Sequence, residues 1–550
     1  MRSSIKPKLS SLWPSLTDYR DVKKTWKSDL VAGLTVGIVA LPLALGFGIS
    51  SGAGAEAGLI TAIVAGIIAA VFGGSNVQVS GPTGAMVVVL APIVASHGIS
   101  AVVLVTLMAG VMVFAAGLLR LGRAVSFIPW PVIEGFTLGI GVTIFLQQVP
   151  SLTGPEGNVS GQTNVVAAAV VSLLNADPVY LMWALGAVAL VAAGMVGLPM
   201  LHPAIPASLV AVILVSVLAV LVPNPLVTIG ALPNSLPAPS LPAMNLDLLS
   251  TLLMPAVAVA ALAAIESLLS ARVAASMANT GPYDPDRELV GQGLASIGAG
   301  LFGGMPATGA IARTAVNVRS GGRTRLAAVF HAVVLLLIVM LFAKPVGFIP
   351  LAALSGVLMV TALRMVNVST TRSILRSTRA DAIAFVVTAI VTVSVDLIVA
   401  VIAGMVLAGI FAIRAYASAV GVHREPLPGN PHEGDDRIAL IMIDGPLFFG
   451  SADRVLDEIL ATKNVSVVIL RLSRLDTVDA TGANGLVDIV QRLEARGITV
   501  IIKGLREQHL ELFKRIGVIS ALRHQNHLVP DLDTAVEHAR SHVRREALSN

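Results

Sequence analysis

Two short stretches of this sequence carry residue types that could hold a small anion, and they resemble each other. One reads VFGGSNVQVSGPTGAM (71–86) and the other LFGGMPATGAIART (301–314). Each has Phe-Gly-Gly and then a Pro followed closely by Thr-Gly-Ala. Gly81, Gly84 and Gly309 let a ligand approach the backbone, and Thr83 and Thr308 offer hydroxyls. A helix that starts at such a place leaves N–H groups unpaired and a partial positive charge at its first turn, which together favour an anion. Arg313, about one turn beyond Gly309, could add a formal positive charge. Its alternative role is to snorkel at a membrane boundary near Arg319.

Glu266 is the only carboxylate within LLMPAVAVAALAAIESLLSARVAA (252–275). An ionisable group in such a run usually faces a cavity or a partner. It could carry a proton or ligate a coupling cation, and Ser270, one turn on, could support either. The structural alternative is a salt bridge to Arg272 or Arg313 that only fixes packing. Pro42 in LPLALGFG (41–48) is expected to interrupt its helix, and Phe47 after it could wall the pocket with its positive ring edge. A lone Phe in an apolar helix is otherwise plain packing.

The elements that must position these residues follow from composition. The chain has 550 residues, 55% hydrophobic and 13% charged, with a mean hydropathy of +0.85. A soluble domain carries roughly 25% charged residues. Here the charges crowd 1–29 and 414–550, and the stretch between is a succession of apolar runs. Lipid cannot hydrogen-bond a backbone, so these runs must be membrane-spanning helices. Fourteen are expected, near 30–50, 57–73, 84–97, 100–119, 126–148, 179–198, 205–222, 252–271, 289–303, 309–318, 325–343, 349–363, 381–396 and 397–415.

This count puts Arg120, Arg123, Arg272, Arg287, Arg319, Arg323, Arg364, Arg372, Arg376 and Arg379 in inside loops. The long outside loops near 149–178 and 223–250 carry no Lys or Arg, and Lys344 is the exception. Such a bias satisfies the positive-inside rule with both termini cytoplasmic. The N-terminal segment 1–29, with Lys23, Lys24 and Lys27, lacks a cleavage site after a short apolar core and reads as leading into a retained helix.

The runs beginning at Gly84 and Gly309 are too short to span the bilayer. They occupy the third and tenth positions of a seven-plus-seven duplication, with repeats at about 30–222 and 252–415. A seven-helix unit repeated in tandem enters the membrane in opposite senses. Interrupted helices at matching positions of inverted repeats point to a transporter's substrate site.

After Arg414 the composition changes. Residues 416–436 read as a linker, Pro-rich and polar from 421 (GVHREPLPGNPHEGDD), and 437–545 as a soluble α/β domain. Its strands are expected at 438–443, 466–471 and 498–503, alternating with helices near 451–462, 481–496, 507–516 and 531–545.

Several chemistries are not expected. The absence of cysteine excludes disulfides and thiol catalysis. There is no GxxxxGK[ST] loop for ATP, no enzyme constellation and no cofactor motif. The ten His residues show no metal-ligand spacing, so no metal is expected. A net charge of +5 reads as topology and not as nucleic-acid binding, since the basic residues border apolar runs.

Taken together, the LPLALGFGISSG, VQVSGPTGAM and MPATGAIARTAVNVRSGGRT segments and the trailing domain resemble the SulP, or sulfate permease, family of anion transporters. The resemblance covers nearly the whole chain. It implies an all-α membrane domain of fourteen segments in a seven-plus-seven inverted repeat, with core and gate subdomains moving like an elevator in a homodimer. It places Phe47, Thr83, Gly84, Ala310, Ala312 and Arg313 around the anion, and Glu266 where family members carry a proton- or sodium-linked carboxylate.

The C-terminal domain resembles STAS domains, similar to bacterial anti-sigma-factor antagonists, through DATGANGL (479–486). Antagonists have a phosphorylatable Ser directly after the Asp, where this chain has Ala480. Thr481 remains a candidate regulatory hydroxyl, though it is expected to cap the following helix. A structural role, or docking of a cytoplasmic protein partner, fits the domain better.

SGAGAEAGL (51–59) and NVRSGGRT resemble the sodium-dependent bicarbonate branch of the family. By the same resemblance, that branch has Asp in place of Glu266 and a neutral residue in place of Arg313. The Glu-plus-Arg pair is more similar to proton-coupled sulfate or dicarboxylate carriers, and a divalent anion gains more from a fixed Arg. Proton-coupled symport therefore ranks first and sodium-coupled bicarbonate uptake second. An anion channel would instead carry current much faster than alternating access allows, and a receptor signalling through the C-terminal domain would not need two facing half-sites.

Overall fold

The computed structural model describes residues 12–123, 128–154, 164–202, 205–242, 246–277, 281, 283–395 and 397–549. Parts of the expected N-terminal segment (1–11), of the fifth helix (126–127) and of the two long outside loops (155–163 and 243–245) lie outside the described residues. The chain divides into two compact units, Met1–Met405 and Val406–Asn550.

The first unit is a helical bundle. Its principal helices are α1 (Val22–Ser50), α2 (Ala55–Phe72), α3 (Gly84–His97), α4 (Ile99–Leu118), α5 (Trp130–Gln147), α6 (Pro178–Leu201) and α7 (Ala207–Leu221). They continue with α8 (Leu246–Met277), α9 (Pro285–Leu301), α10 (Ile311–Arg319), α11 (Arg325–Gly347), α12 (Leu351–Met365) and α13 (Arg379–Ser394), and α14 (Leu397–Ser418) runs across the division at Met405 into the second unit. Short helices at Val165–Leu174 and Val368–Leu375 were not expected from the sequence.

Helix starts follow familiar chemistry. Asp177 and Asp284 cap α6 and α9, each ahead of a Pro in the first turn, and Thr324 caps α11. Pro42 does not interrupt its helix as expected, because α1 runs through it unbroken. Such prolines are tolerated where neighbouring helices satisfy the freed backbone.

The duplication shows in the packing. Advancing each helix number by seven turns the α1–α11 contact into α8–α4, and the α5–α13 contact into α12–α6. The α2–α9 and α5–α12 contacts map onto themselves. Glycine brings helices close, as where α4 and α9 meet. A methyl on Gly293 would strike the Phe114 backbone, and one on Gly110 would come within 3.0 Å of the Gly293 carbonyl.

Two two-residue strands, β1 (Ser80–Gly81) and β2 (Thr308–Gly309), precede α3 and α10 and pair antiparallel, Ser80 opposite Gly309 and Gly81 opposite Thr308. The two broken segments therefore meet directly. α3 and α10 leave this crossing as half-helices.

In the second unit, β3 (Gly421–Glu425), β4 (Ile438–Leu447), β5 (Val467–Val478), β6 (Thr499–Lys503) and β7 (Leu528–Val529) form one sheet in that order. β3 pairs antiparallel with β4, and the other pairings are parallel. Residues 421–425 are thus a strand and not linker, a correction to the sequence reading. β3 is an edge strand, and its polar alternation hid it. β4 alternates, with Ala439, Ile441 and Ile443 in one core and Ile438 and Leu440 in the other.

Helices α15 (Ala452–Leu460), α16 (Ala480–Ala495) and α17 (Glu507–Ile516) pack with the first core, and α18 (Leu532–Ser549) supplies Ala535, Val536, Ala539 and Val543 to the second. Thr481 is not the cap of α16 as expected. Asp479 caps it, accepting from the Gly482 N–H at 2.7 Å, and Thr481 lies exposed in the first turn.

Candidate anion site

The crossing of β1 and β2 gathers most of the residues singled out in the sequence. Its backbone is locked by backbone and side-chain hydrogen bonds. The Ala310 N–H donates to the Val79 carbonyl at 2.9 Å, the Gly309 N–H to Ser267 Oγ at 3.0 Å, and the Val79 N–H to Thr314 Oγ1 at 3.0 Å. Gln78 donates to the Ser267 carbonyl at 3.2 Å. A side chain on Gly309 would overlap that Gln78 amide, so only glycine fits there.

Glu266, on α8, reaches this crossing. Its Oε2 accepts from Thr83 Oγ1 at 2.7 Å and from Thr308 Oγ1 at 2.8 Å. The salt bridge to Arg272 or Arg313 weighed from the sequence is absent among the described residues, so packing by ion pair does not account for this carboxylate. Ser270 is buried and lies within 3.4 Å of Thr314 Oγ1. It braces α10 and is not bonded to Glu266.

Arg313 is 2% exposed. Its Nη2 donates to the Pro82 carbonyl, while its buried Nη1 has no hydrogen-bond partner among the described residues. A β-carbon on Gly81 would stand 2.7 Å from that Nη1. Snorkelling to a boundary is therefore not what this side chain does. A buried guanidinium with a free donor is poised for an acceptor, since an unmade bond of this kind carries a large penalty.

Both half-helices begin without a side-chain cap. Thr83 is the N-cap residue of α3 and has extended backbone geometry, yet its hydroxyl does not accept from the first turn. Ala310, the N-cap residue of α10, has no side chain that could. Phe47 and Ala310 are buried, whereas Ala312 and Ile311 are exposed. A methyl on Gly84 would strike Ile144 of α5 and lie 3.4 Å from Phe47 Cε1. The crossing thus brings Phe47, Thr83, Gly84, Ala310, Arg313 and Glu266 into one neighbourhood. Sequence reasoning missed Gln78 and Thr314, ordinary polar types within the two broken segments, and Ser267, the residue after Glu266.

A bundle of apolar helices, two uncapped half-helices meeting beside a buried Arg, and an appended α/β domain define a multi-pass membrane anion transporter. Comparisons with known proteins agree. The sulfate permease family matches residues 26–388 and the STAS domain matches 431–535. The chain belongs to the sulfate permease family. It is 37% identical over 513 residues to a candidate sulfate transporter of Bacillus subtilis (strain 168), YvdB, covering 91% of this chain and 96% of that one. It is 32% identical over 530 residues to the bicarbonate transporter BicA of Synechocystis, covering 91% and 92%. The solved structure of the murine anion transporter Slc26a9 in its inward-facing state shares the fold, with a TM-score of 0.82 at 16% identity, covering 98% of this chain and 96% of that one.

Proposed function

We propose that this chain is a secondary active symporter, taking up sulfate or a small dicarboxylate with protons across the plasma membrane, both termini cytoplasmic. The observation that carries this reading is Arg313, buried and with an Nη1 that has no partner among the described residues, at the meeting of the two half-helices. A fixed cation and two helix N-termini suit a doubly charged anion better than a singly charged one. Thr83, Gly84 and Ala312 supply the hydroxyl and backbone N–H groups of the pocket, Ala310, whose N–H is bonded to Val79, borders it, and Phe47 walls it. Glu266 binds the coupling proton, and the paired threonine hydroxyls report its charge to the anion side of the crossing.

The inverted repeat supports an elevator. α1–α4 with α8–α11 form the moving core, and α5–α7 with α12–α14 form the gate, in a homodimer. The second unit serves as a docking or stabilising module for a cytoplasmic partner. The likeness to YvdB, named for sulfate, supports the substrate class. A second reading, sodium-coupled bicarbonate uptake, draws on the likeness to BicA.

Labelled-sulfate uptake into proteoliposomes, under an inward proton or an inward sodium gradient, tests both readings. Accumulation driven by protons, with competition by succinate, supports the symporter. Sodium-driven bicarbonate uptake without sulfate uptake replaces it with the second reading.

A further inference from the structure

The ten histidines gave no metal spacing in the sequence reading, yet the second unit brings three of them together. His527 lies just ahead of β7, and His538 and His542 stand one turn apart on α18. One nitrogen from each lies within 4.8 Å of those of the other two. The Nε2 atoms of His538 and His542 are 3.1 Å apart. The His527 ring centroid is 5.4 Å from that of His538 and 5.3 Å from that of His542. His527 is 1% exposed, and its Nδ1 has no hydrogen-bond partner among the described residues.

The His538–His542 separation matches a known coordination chemistry. Two nitrogens bound to one tetrahedral zinc at roughly 2.0–2.1 Å stand about 3.3 Å apart. Histidines four residues apart on one helix face are a recurrent way to present two such ligands. Neutral imidazoles suit zinc, copper and nickel, whereas calcium and magnesium require oxygen. Two arginines lie nearby, with His524, whose ring centroid is 5.5 Å from that of His527. Arg523 pairs with Glu494 at 3.4 Å, and Arg545 donates to Ser541 at 3.1 and 3.2 Å.

We infer that His527, His538 and His542 form a zinc-class divalent metal site that clasps α18 to the segment before β7. The position gives the site a consequence. α18 is the helix that closes the second core of the sheet, through Ala535, Val536, Ala539 and Val543. A metal held between α18 and the preceding segment lowers the population in which the helix lifts off. Metal availability thereby sets how firmly the C-terminal unit is closed, independently of transport.

The test uses the full-length protein, purified with a histidine-free affinity tag and stripped by chelator. Zinc binding is measured by equilibrium dialysis, and cobalt is substituted to read coordination from its visible spectrum. The expected result is one zinc per chain and an intense tetrahedral cobalt spectrum. Both should be lost in the H538Q/H542Q variant, whose changes fall on partly exposed positions. Because His527→Gln could disturb the core, hydrogen exchange across 532–549 provides the second readout. At free zinc about 100 times its Kd, exchange through local opening should slow about 100-fold in the parent and not in the variant. Zinc binding no greater in the parent than in the variant overturns the inference. So does binding that leaves exchange in α18 unchanged.

Discussion

Arg313→Ala tests the anion site most directly. The guanidinium is 2% exposed and donates to the Pro82 carbonyl, with its second terminal nitrogen unpartnered among the described residues. A unit charge about 4 Å away, at an effective dielectric of about 20, gains about 4 kcal/mol. Discounting half of that for desolvation leaves about 2 kcal/mol for a monoanion and about 4 kcal/mol for a dianion. These convert to losses of about 30-fold and about 1000-fold in apparent affinity. Removing Arg313 also leaves the Pro82 carbonyl without its donor, at a cost of about 1–3 kcal/mol to the fold. Thermal unfolding in detergent separates that cost from the binding effect. Initial uptake rates of labelled sulfate and of a monovalent anion, across concentration in proteoliposomes, give the two affinities. Equal losses for both anions, or no loss at all, would refute the electrostatic argument. Arg313→Lys should recover part of the dianion affinity, because the charge returns without the planar fork.

Three further outcomes follow. Glu266→Gln keeps a hydrogen-bonding side chain beside Thr83 and Thr308 and should remove the dependence of flux on the driving cation, read by comparing uptake with and without a gradient. Gly84→Ala places a methyl against Ile144 and Phe47 and should cost about 1–3 kcal/mol with a fall in uptake, whereas Gly186→Ala, with nothing within 4 Å, should leave uptake unchanged. Asp435 pairs with Arg540 at 2.7 Å, and that hydrogen bond holds its carboxyl below the ordinary range. Its stabilisation is therefore present above the unfolded-state carboxyl pKa and is lost as pH falls through the lower folded value. Asp435→Asn should cost about 1 kcal/mol at pH 7, raising hydrogen exchange in α18 about fivefold.

The transmembrane pattern was legible because lipid imposes a single backbone solution, so apolar runs translate directly into helices. The repeat was legible at Thr83-Gly84-Ala85 and Thr308-Gly309-Ala310, where broken helices need the same small residues twice. The antiparallel pairing of Ser80 with Gly309 was not, because a two-residue ladder has no periodicity to read. Strand β3 escaped for a related reason, since an edge strand with one polar face resembles a linker. Thr481 misled because Thr commonly caps helices, and Asp479, two residues earlier, won that position. The reading that the histidines lack metal-ligand spacing overlooked His538 and His542, four residues apart, and their companion His527 comes from another element that only the fold brings to them.

Charge bookkeeping at the crossing bears on why a coupling carboxylate sits beside an anion pocket. Arg313 contributes one positive charge, and two helix N-termini add about +0.5 each. A dianion balances this total only if Glu266 is neutral. A monoanion balances it with Glu266 ionised. On the proposed reading, dianion uptake is therefore the one that needs a proton on Glu266, and proton and dianion must each raise the other's affinity by the same factor. Uptake of a monoanion through the same pocket should depend less on the proton gradient. Glu266→Gln fixes the neutral state, so it should bind dianions without a cation while leaving monoanions with one positive charge in excess. A variant that instead lost dianion and monoanion binding alike would show that Glu266 supports the threonines and not the charge balance.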